Sequence, residues 1–149
     1  MSNFMIVNPG RNLYLAVTES STDVQVLPIS QAQPNTVSAF WTMKGVTGGY
    51  TICLESNPTQ CLDINANSSD KVGDGTQLVI SSVDNPNFFN SNLWNVGQLA
   101  NQMAPGIVSQ IESMATAGDL VIDSGASPTA QLWTDLNNDH QTWQILSVQ

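Results

Sequence analysis

The feature that most constrains the fold is a tryptophan that recurs three times in a similar sequence frame. Trp41, Trp94 and Trp143 stand in AFWTM, NLWNV and QTWQI, at spacings of 94 − 41 = 53 and 143 − 94 = 49 residues. Upstream of each tryptophan lies a glutamine within a short apolar run, and still further upstream come the runs YLAV, CLDI and VIDS. One order of motifs repeated at one period predicts three copies of a single structural unit.

Each copy is predicted to consist of β-strands. Its apolar runs are short, alternate with polar residues, favour Val, Ile, Leu, Tyr and Trp, and are separated by NPG, GG, NP, DG and SG. The stretch GIVSQIESMA at 106–115 has helical spacing, but its counterpart GGYTICLES at 48–56 has the pattern of a strand. We therefore predict strand or irregular structure at 106–115. We also expect an insertion before it, at LANQMAP, that forms a short helical turn.

Copies of about fifty residues are too small to enclose a core each, so three of them are expected to share one. The chain is predicted to be a single all-β domain, 1–149, with repeats at about 1–46, 47–99 and 100–149. Threefold closure protects the edges of a sheet, which favours a compact barrel with pseudo-threefold symmetry. The three recurring tryptophans are expected to pack in its core.

The charge of the chain argues against polyanionic partners. Three basic residues face twelve acidic ones, for a net charge of −9, so nucleic acid and anionic membrane are poor partners.

No apolar run approaches the ~20 residues that a membrane-spanning helix needs. The start, MSNFMIVNPGRNLYL, has neither a basic region nor a sustained apolar run, so we predict no signal peptide and a cytoplasmic or non-classically secreted protein. Cys53 and Cys61 flank a predicted turn at 56–59; two reduced, buried thiols are favoured over a cross-strand bridge.

Catalysis and metal binding find little support in the sequence. His140 is the only histidine, and there is neither a G-x-S-x-G motif nor a metal-spaced cluster of Cys and His. The DSG at 123–125 resembles an aspartic protease signature, but only 149 − 123 = 26 residues follow it. The stretch 63–74 partly follows a calcium loop, yet Ser68 stands where the turn requires glycine. We expect a protein that is not an enzyme and that uses no cofactor and no metal.

The motifs together resemble a known family. A CLD-type run, a glutamine-containing apolar strand and a closing Q-x-W motif, three times over the whole chain, resemble the ricin B-type lectins, and the short single domain is most similar to their mushroom members. The resemblance is strongest in the third copy, clear in the second and eroded in the first. It implies a β-trefoil fold and a non-catalytic carbohydrate-binding protein that recognises neutral sugars. Galactose or N-acetylgalactosamine is the ligand typical of the family, with mannose as an alternative.

The resemblance implies a sugar site in the third copy. Asp123 supplies the carboxylate, Gln131 lies beside it, Trp133 is the aromatic platform, and Gln141 opens the closing motif. A carboxylate accepts two hydroxyl hydrogen bonds at once, amides donate and accept, and a ring covers the apolar face of a sugar. His140 stands where the family often has asparagine. Because imidazole changes charge near neutral pH, His140 predicts pH-sensitive binding.

A weaker site is implied in the second copy. It keeps Asp63 and Gln77, but Val79 takes the place of the aromatic residue, and Phe88 or Phe89 would have to supply a platform from a neighbouring loop.

Two other functions remain open. Ala16 replaces the carboxylate of the first copy, and this erosion favours a lectin-like, non-catalytic subunit of a larger enzyme, such as the light chain of mushroom tyrosinase, with sugar binding reduced or lost. The other is a trefoil protease inhibitor that acts through an exposed loop near LANQMAPG.

Overall fold

The structure, a computed structural model, describes residues 3–18, 22–28, 37–100, 107–116 and 120–148. The strands are β1 (Asn3–Asn8), β2 (Leu13–Thr18), β3 (Val24–Pro28), β4 (Val37–Ser38), β5 (Trp41–Val46), β6 (Gly49–Leu54), β7 (Gln60–Ile64), β8 (Leu78–Ser82), β9 (Trp94–Asn95), β10 (Val108–Ser109), β11 (Glu112–Ser113), β12 (Leu120–Asp123), β13 (Gln131–Thr134) and β14 (Trp143–Val148). Two short 3-10 helices, Ser69–Lys71 and Gly97–Ala100, complete the elements of these ranges. None of the described helices is long and apolar enough to span a membrane.

Part of the sheet closes into a barrel. Strand β1 pairs with β14 and β5, β5 pairs with β6, and β6 pairs with β9. The ring is completed by two short strands in succession, because β11 pairs with β9 and β10 pairs with β14. Within the described part of the stretch 106–115, residues 108–109 and 112–113 are strands and the others are irregular, which agrees with the prediction of strand or irregular structure. Of the expected insertion, Leu99 and Ala100 belong to a 3-10 helix, and residues 101–105 lie outside the described ranges.

Three hairpins, β2–β3, β7–β8 and β12–β13, lie together outside this ring. They are joined in a cycle by isolated bridges, Asp23 to Val79, Gln25 to Thr129 and Gln77 to Gln131. The three bridges are equivalent: each pairs one of Asp23, Gln77 and Thr129 with one of Gln25, Val79 and Gln131 in another copy, so the hairpins repeat with threefold symmetry. A closed barrel and a triangle of hairpins form a β-trefoil, and the predicted fold class is confirmed.

The three recurring tryptophans connect the barrel to the hairpins. Each indole is fully buried, and its Nε1 donates a hydrogen bond to a backbone carbonyl in the first strand of a hairpin. The pairs are Trp41 with Leu15 (3.1 Å), Trp94 with Leu62 (3.3 Å) and Trp143 with Ile122 (2.9 Å). The rest of the shared core includes Phe4, Ile6, Leu15, Ile52, Leu62, Leu78, Ile122 and Leu132.

The two cysteines are bridged. Cys53 and Cys61 face each other in the register of β6 and β7, and their sulfurs form a disulfide. The expectation of two reduced thiols is therefore wrong. Cross-strand pairing places their Cβ atoms on the same side of the sheet, within reach of a bond, and sequence alone did not establish that pairing.

Replacing Trp94 with phenylalanine tests the link between barrel and hairpin. The variant keeps most of the apolar volume but leaves the carbonyl of Leu62 without its indole donor, so we expect unfolding to cost about 2–4 kcal/mol less. Urea unfolding measures the loss. The matched control is Trp133→Phe, at a partly exposed indole, where we expect a loss below about 1 kcal/mol; equal losses would contradict the assigned role.

Removal of the disulfide by the pair Cys53→Ala and Cys61→Ala should lower the free energy of unfolding by about 2–3 kcal/mol, because the bridge closes a loop of sequence separation 8. Thermal unfolding with and without reductant provides the measurement. Wild type in denaturant without reductant should take up no iodoacetamide. Labelling of both cysteines there would show that the thiols are free.

Candidate functional site

The third-copy hairpin brings three predicted site residues to one face. Asp123 lies opposite Gln131 in the β12–β13 register, and Trp133 is two residues further along β13. Successive side chains of a strand point to opposite faces, and the intervening Ile122 and Leu132 are fully buried in the core. The carboxylate, the amide and the indole therefore share the face that points away from the core.

The carboxylate of Asp123 is held by three donors. Its Oδ1 accepts hydrogen bonds from the backbone nitrogen of Gly125 (2.5 Å) and from Nε2 of Gln131 (3.3 Å), and its Oδ2 accepts one from Nε2 of Gln141 (2.9 Å). A carboxylate has about four acceptor positions, so about one remains on Oδ2. The side chain is nearly buried, with the residue 4% exposed. Asp123 is thus oriented rigidly and has room for one ligand hydroxyl rather than two.

Gln141 acts within the protein. Both hydrogens of its amide are used, because Nε2 donates to Asp123 and also to the carbonyl of Thr134 (2.9 Å). Its Oε1 accepts a hydrogen bond from the backbone nitrogen of Leu136 (2.8 Å), and the residue is fully buried. The geometry makes Gln141 a residue that orients the carboxylate and fixes the following loop against β13.

His140 lies at the mouth of this arrangement, with 41% of its side chain exposed. A Cβ atom added to Gly125 would lie 2.7 Å from Oδ1 of Asp123 and 3.1 Å from Nδ1 of His140. Glycine at 125 therefore allows the imidazole and the carboxylate to approach from two sides. The other ring nitrogen, Nε2, is 3.8 Å from Oδ1 of Asp139, a largely exposed carboxylate.

The indole of Trp133 is partly exposed, unlike the three core tryptophans. Among the described residues its Nε1 has no hydrogen-bond partner. Its ring lies beside a turn of the second copy, where a Cβ on Gly75 would be 3.9 Å from Cζ3. The ring is therefore supported on one side and offers an aromatic surface to solvent.

The turn at the start of the first copy supports the third-copy site. The sequence analysis did not predict this support. Asn8 is fully buried, and its Nδ2 donates to the carbonyls of Asp139 (2.7 Å) and Thr142 (2.8 Å). Its Oδ1 accepts a hydrogen bond from the hydroxyl of Ser124 (2.9 Å). Arg11 adds a bond from Nη1 to the Ser124 carbonyl (2.7 Å). The only sequence signal was NPG, which indicated a turn but not its distant partners.

The second copy requires a correction of register. Asp63 lies opposite Val79, so Val79 is the counterpart of Gln131, and Ser81 is the counterpart of Trp133. Gln77, proposed as the counterpart of Gln131, lies two residues away from that position, and that assignment is wrong. The reason is that the connection between β7 and β8 is longer than the connection between β12 and β13. No residue pattern in the sequence showed how these two connections align.

The carboxylate of the second copy is closed to ligands. Asp63 is fully buried, and its Oδ1 accepts a hydrogen bond from the nitrogen of Ile64 (2.7 Å). Its Oδ2 accepts from the nitrogen of Asn87 (2.9 Å) and from the hydroxyl of Ser81. Asp63 thus accepts three hydrogen bonds, as Asp123 does, but it is fully buried and bonded to the loop that follows β8.

The two aromatic residues near that loop, which were the candidates for the missing platform, differ in exposure. Phe88 is partly buried and packs against the core, whereas Phe89 is 86% exposed.

The first copy has an apolar surface at the equivalent place. Ala16 lies opposite Gln25, and Leu27 is the counterpart of Trp133. A small apolar cluster fills this face, with Val7, Tyr14, Ala16 and Ala39 buried and Met5 and Leu27 packed against them. Burial raises the pKa of the Tyr14 hydroxyl. Ala16 and the described residues of this cluster include no carboxylate for a sugar.

Within the described ranges, no three side chains of His, Cys, Asp or Glu are grouped so that they could hold a metal ion.

No family model and no curated protein matches the chain. Solved structures match it across its length. The designed 3-fold symmetric protein ThreeFoil has a TM-score of 0.72 at 14% identity, over 98% of this chain and 99% of its own. The ricin B-like lectin of Macrolepiota procera in complex with lactose has a TM-score of 0.68 at 21% identity, over 96% and 93%. SeviL bound to the asialo-GM1 saccharide has 0.66 at 12%, over 100% and 99%.

For two further structural neighbours, this chain covers 33% and 36% of the other protein. At these identities the similarity establishes the β-trefoil fold and nothing finer.

The variant Asn8→Ala tests the support of the site by the first copy. It removes the partners of the Ser124 hydroxyl and of two loop carbonyls, so we expect the free energy of unfolding to fall by about 2–4 kcal/mol. We also expect faster hydrogen exchange at the amide of Gln141, whose nitrogen donates within the supported loop (3.1 Å).

The control for that variant is Asn65→Ala, since Asn65 is exposed and its side chain forms no hydrogen bond within the described ranges. It should change stability by less than about 0.5 kcal/mol. Unchanged exchange at Gln141 in Asn8→Ala would refute the supporting role.

Proposed function

We propose that the protein is a non-catalytic carbohydrate-binding protein whose third copy binds a neutral sugar. One observation carries the proposal: a partly exposed indole, Trp133, lies on the same hairpin face as Asp123, a carboxylate that keeps about one acceptor position. The ring suits the apolar face of a pyranose, and the carboxylate suits one of its hydroxyls.

The charge of the protein favours a neutral ligand. A net charge of −9 disfavours anionic ligands, whereas hydroxyl groups gain a charge-assisted hydrogen bond from an ionised carboxylate. His140, partly exposed beside the carboxylate, adds a group that can donate to or accept from a second hydroxyl.

A galactose-type sugar is the first choice of ligand, with mannose as the alternative. The proposal draws support from two proteins of the same fold whose structures hold saccharides, lactose in one and the asialo-GM1 saccharide in the other.

We propose a single working site. The Asp63 carboxylate is fully buried and bonded to the loop after β8, and the first copy has Ala16 in that position. Without several engaged sites the protein lacks the avidity of a multivalent lectin, so binding to one sugar is expected to be weak.

The second candidate is a lectin-like, non-catalytic subunit of a larger enzyme, of the kind found with mushroom tyrosinase. The observation that favours it is the loss of sugar chemistry in two copies, one apolar and one closed. Co-purification of an oxidase or another large enzyme from the native source would support this function.

The variant Trp133→Ala tests the sugar site. We expect wild type to bind galactose-terminated glycans on an array, and the variant to bind at least about tenfold more weakly, because the aromatic surface is lost. Calorimetry with lactose quantifies the change. The control is Phe89→Ala, which removes another exposed ring and should leave affinity unchanged. A wild type that binds no glycan would reject the lectin and favour the subunit.

A further inference from the structure

A depression lies at the junction of the second and third copies, apart from the face that carries Asp123 and Trp133. It has a volume of about 390 Å³, within the range of small-molecule sites. Its lining comes from the segment after β7, from Thr116 and from the hairpin β12–β13: Ser69, Val72, Gly73, Asp74, Leu120 and Thr134.

The carboxylate of Asp74 is fixed through one oxygen only. Its Oδ1 accepts hydrogen bonds from the backbone nitrogen (2.6 Å) and the hydroxyl (2.8 Å) of Thr134. Within the described part of the chain, Oδ2 has no donor. The protein therefore anchors this exposed carboxylate through Oδ1 and leaves half of its acceptor capacity, on Oδ2, for a ligand.

The rest of the lining combines hydroxyl and apolar groups. Val72 and Leu120 are partly buried and pack against the core, and both line the depression with apolar surface. The side chain of Ser69 is exposed at the same depression. An anchored acceptor beside a hydroxyl and a small apolar surface matches a ligand that alternates hydroxyl groups with C–H faces.

We propose that this depression is a second binding site for a neutral, hydroxyl-rich ligand of the saccharide class, with Asp74 Oδ2 as its acceptor. The two sites lie on opposite faces of β13, because Trp133 and Thr134 are consecutive residues of one strand. This site does not use Asp123, Trp133 or His140. It stands or falls independently of the function proposed for the third copy.

The test is a titration of wild type with lactose, mannose and N-acetylgalactosamine at millimolar concentrations, followed by amide and indole NMR signals. We expect shifts of the amides of Gly73, Asp74 and Thr134, in addition to those of the Trp133 indole. The variant Asp74→Asn keeps an oxygen for the two Thr134 donors and replaces Oδ2 with an NH₂ group that cannot accept. It should weaken the first set of shifts about tenfold and leave the indole response intact.

Trp133→Ala should have the reverse effect, and Asp84→Asn, which removes an exposed carboxylate elsewhere, should affect neither set. Shifts at the depression without a response of the Trp133 indole would contradict the function proposed for the third copy and support the second binding site. The proposal is overturned if no sugar shifts the depression signals, or if Asp74→Asn binds as wild type does. It is also overturned if glucosamine binds there with steep salt dependence while glucose does not, because the site would then select an amine.

Discussion

The hydrogen bond from a buried indole to a backbone carbonyl is the interaction on which the rest of the structure depends. It occurs once in each copy and joins a tryptophan of the barrel to the first strand of a hairpin. In each case the accepting residue directly precedes the position predicted for the carboxylate, at 16, 63 or 123. The same hydrogen bond that holds the tryptophan in the core therefore also fixes the position of the neighbouring site residue.

The three copies have the same backbone fold, but the residues at their three equivalent site positions differ in chemistry. Alanine stands at 16 within an apolar cluster, Asp63 is fully buried with Asn87 of the following loop bonded to it, and Asp123 keeps about one acceptor position. A buried carboxylate needs donors to remain ionised, and which donors it finds depends on the loop that covers it. One fold thus provides three equivalent positions with different capacities for a ligand.

The third-copy site is assembled from all three copies. Asn8 of the first copy holds the loop that carries His140, and the turn at Gly75 of the second copy lies against the Trp133 ring. Asp74, next to that turn, accepts two hydrogen bonds from Thr134 on the opposite face of β13. Sites at such junctions depend on the closure of the trefoil, because no single copy contains their supporting residues.

The recurrence of Trp41, Trp94 and Trp143, with the apolar runs that precede them, predicted an all-β barrel of three copies, because periodicity and side-chain alternation are local properties of the chain. The β-trefoil and the place of Gln131 beside Asp123 were implied by the resemblance to the ricin B-type lectins. Only the tertiary structure decided the counterpart of Gln131 in the second copy, the state of the two cysteines and the satisfaction of Asp63. Each of these depends on strand register across a connection whose path no local pattern encodes. Asn8 and Asp74 needed the tertiary structure for the same reason: their partners lie 131 and 60 residues away in the sequence and meet them only when the barrel closes.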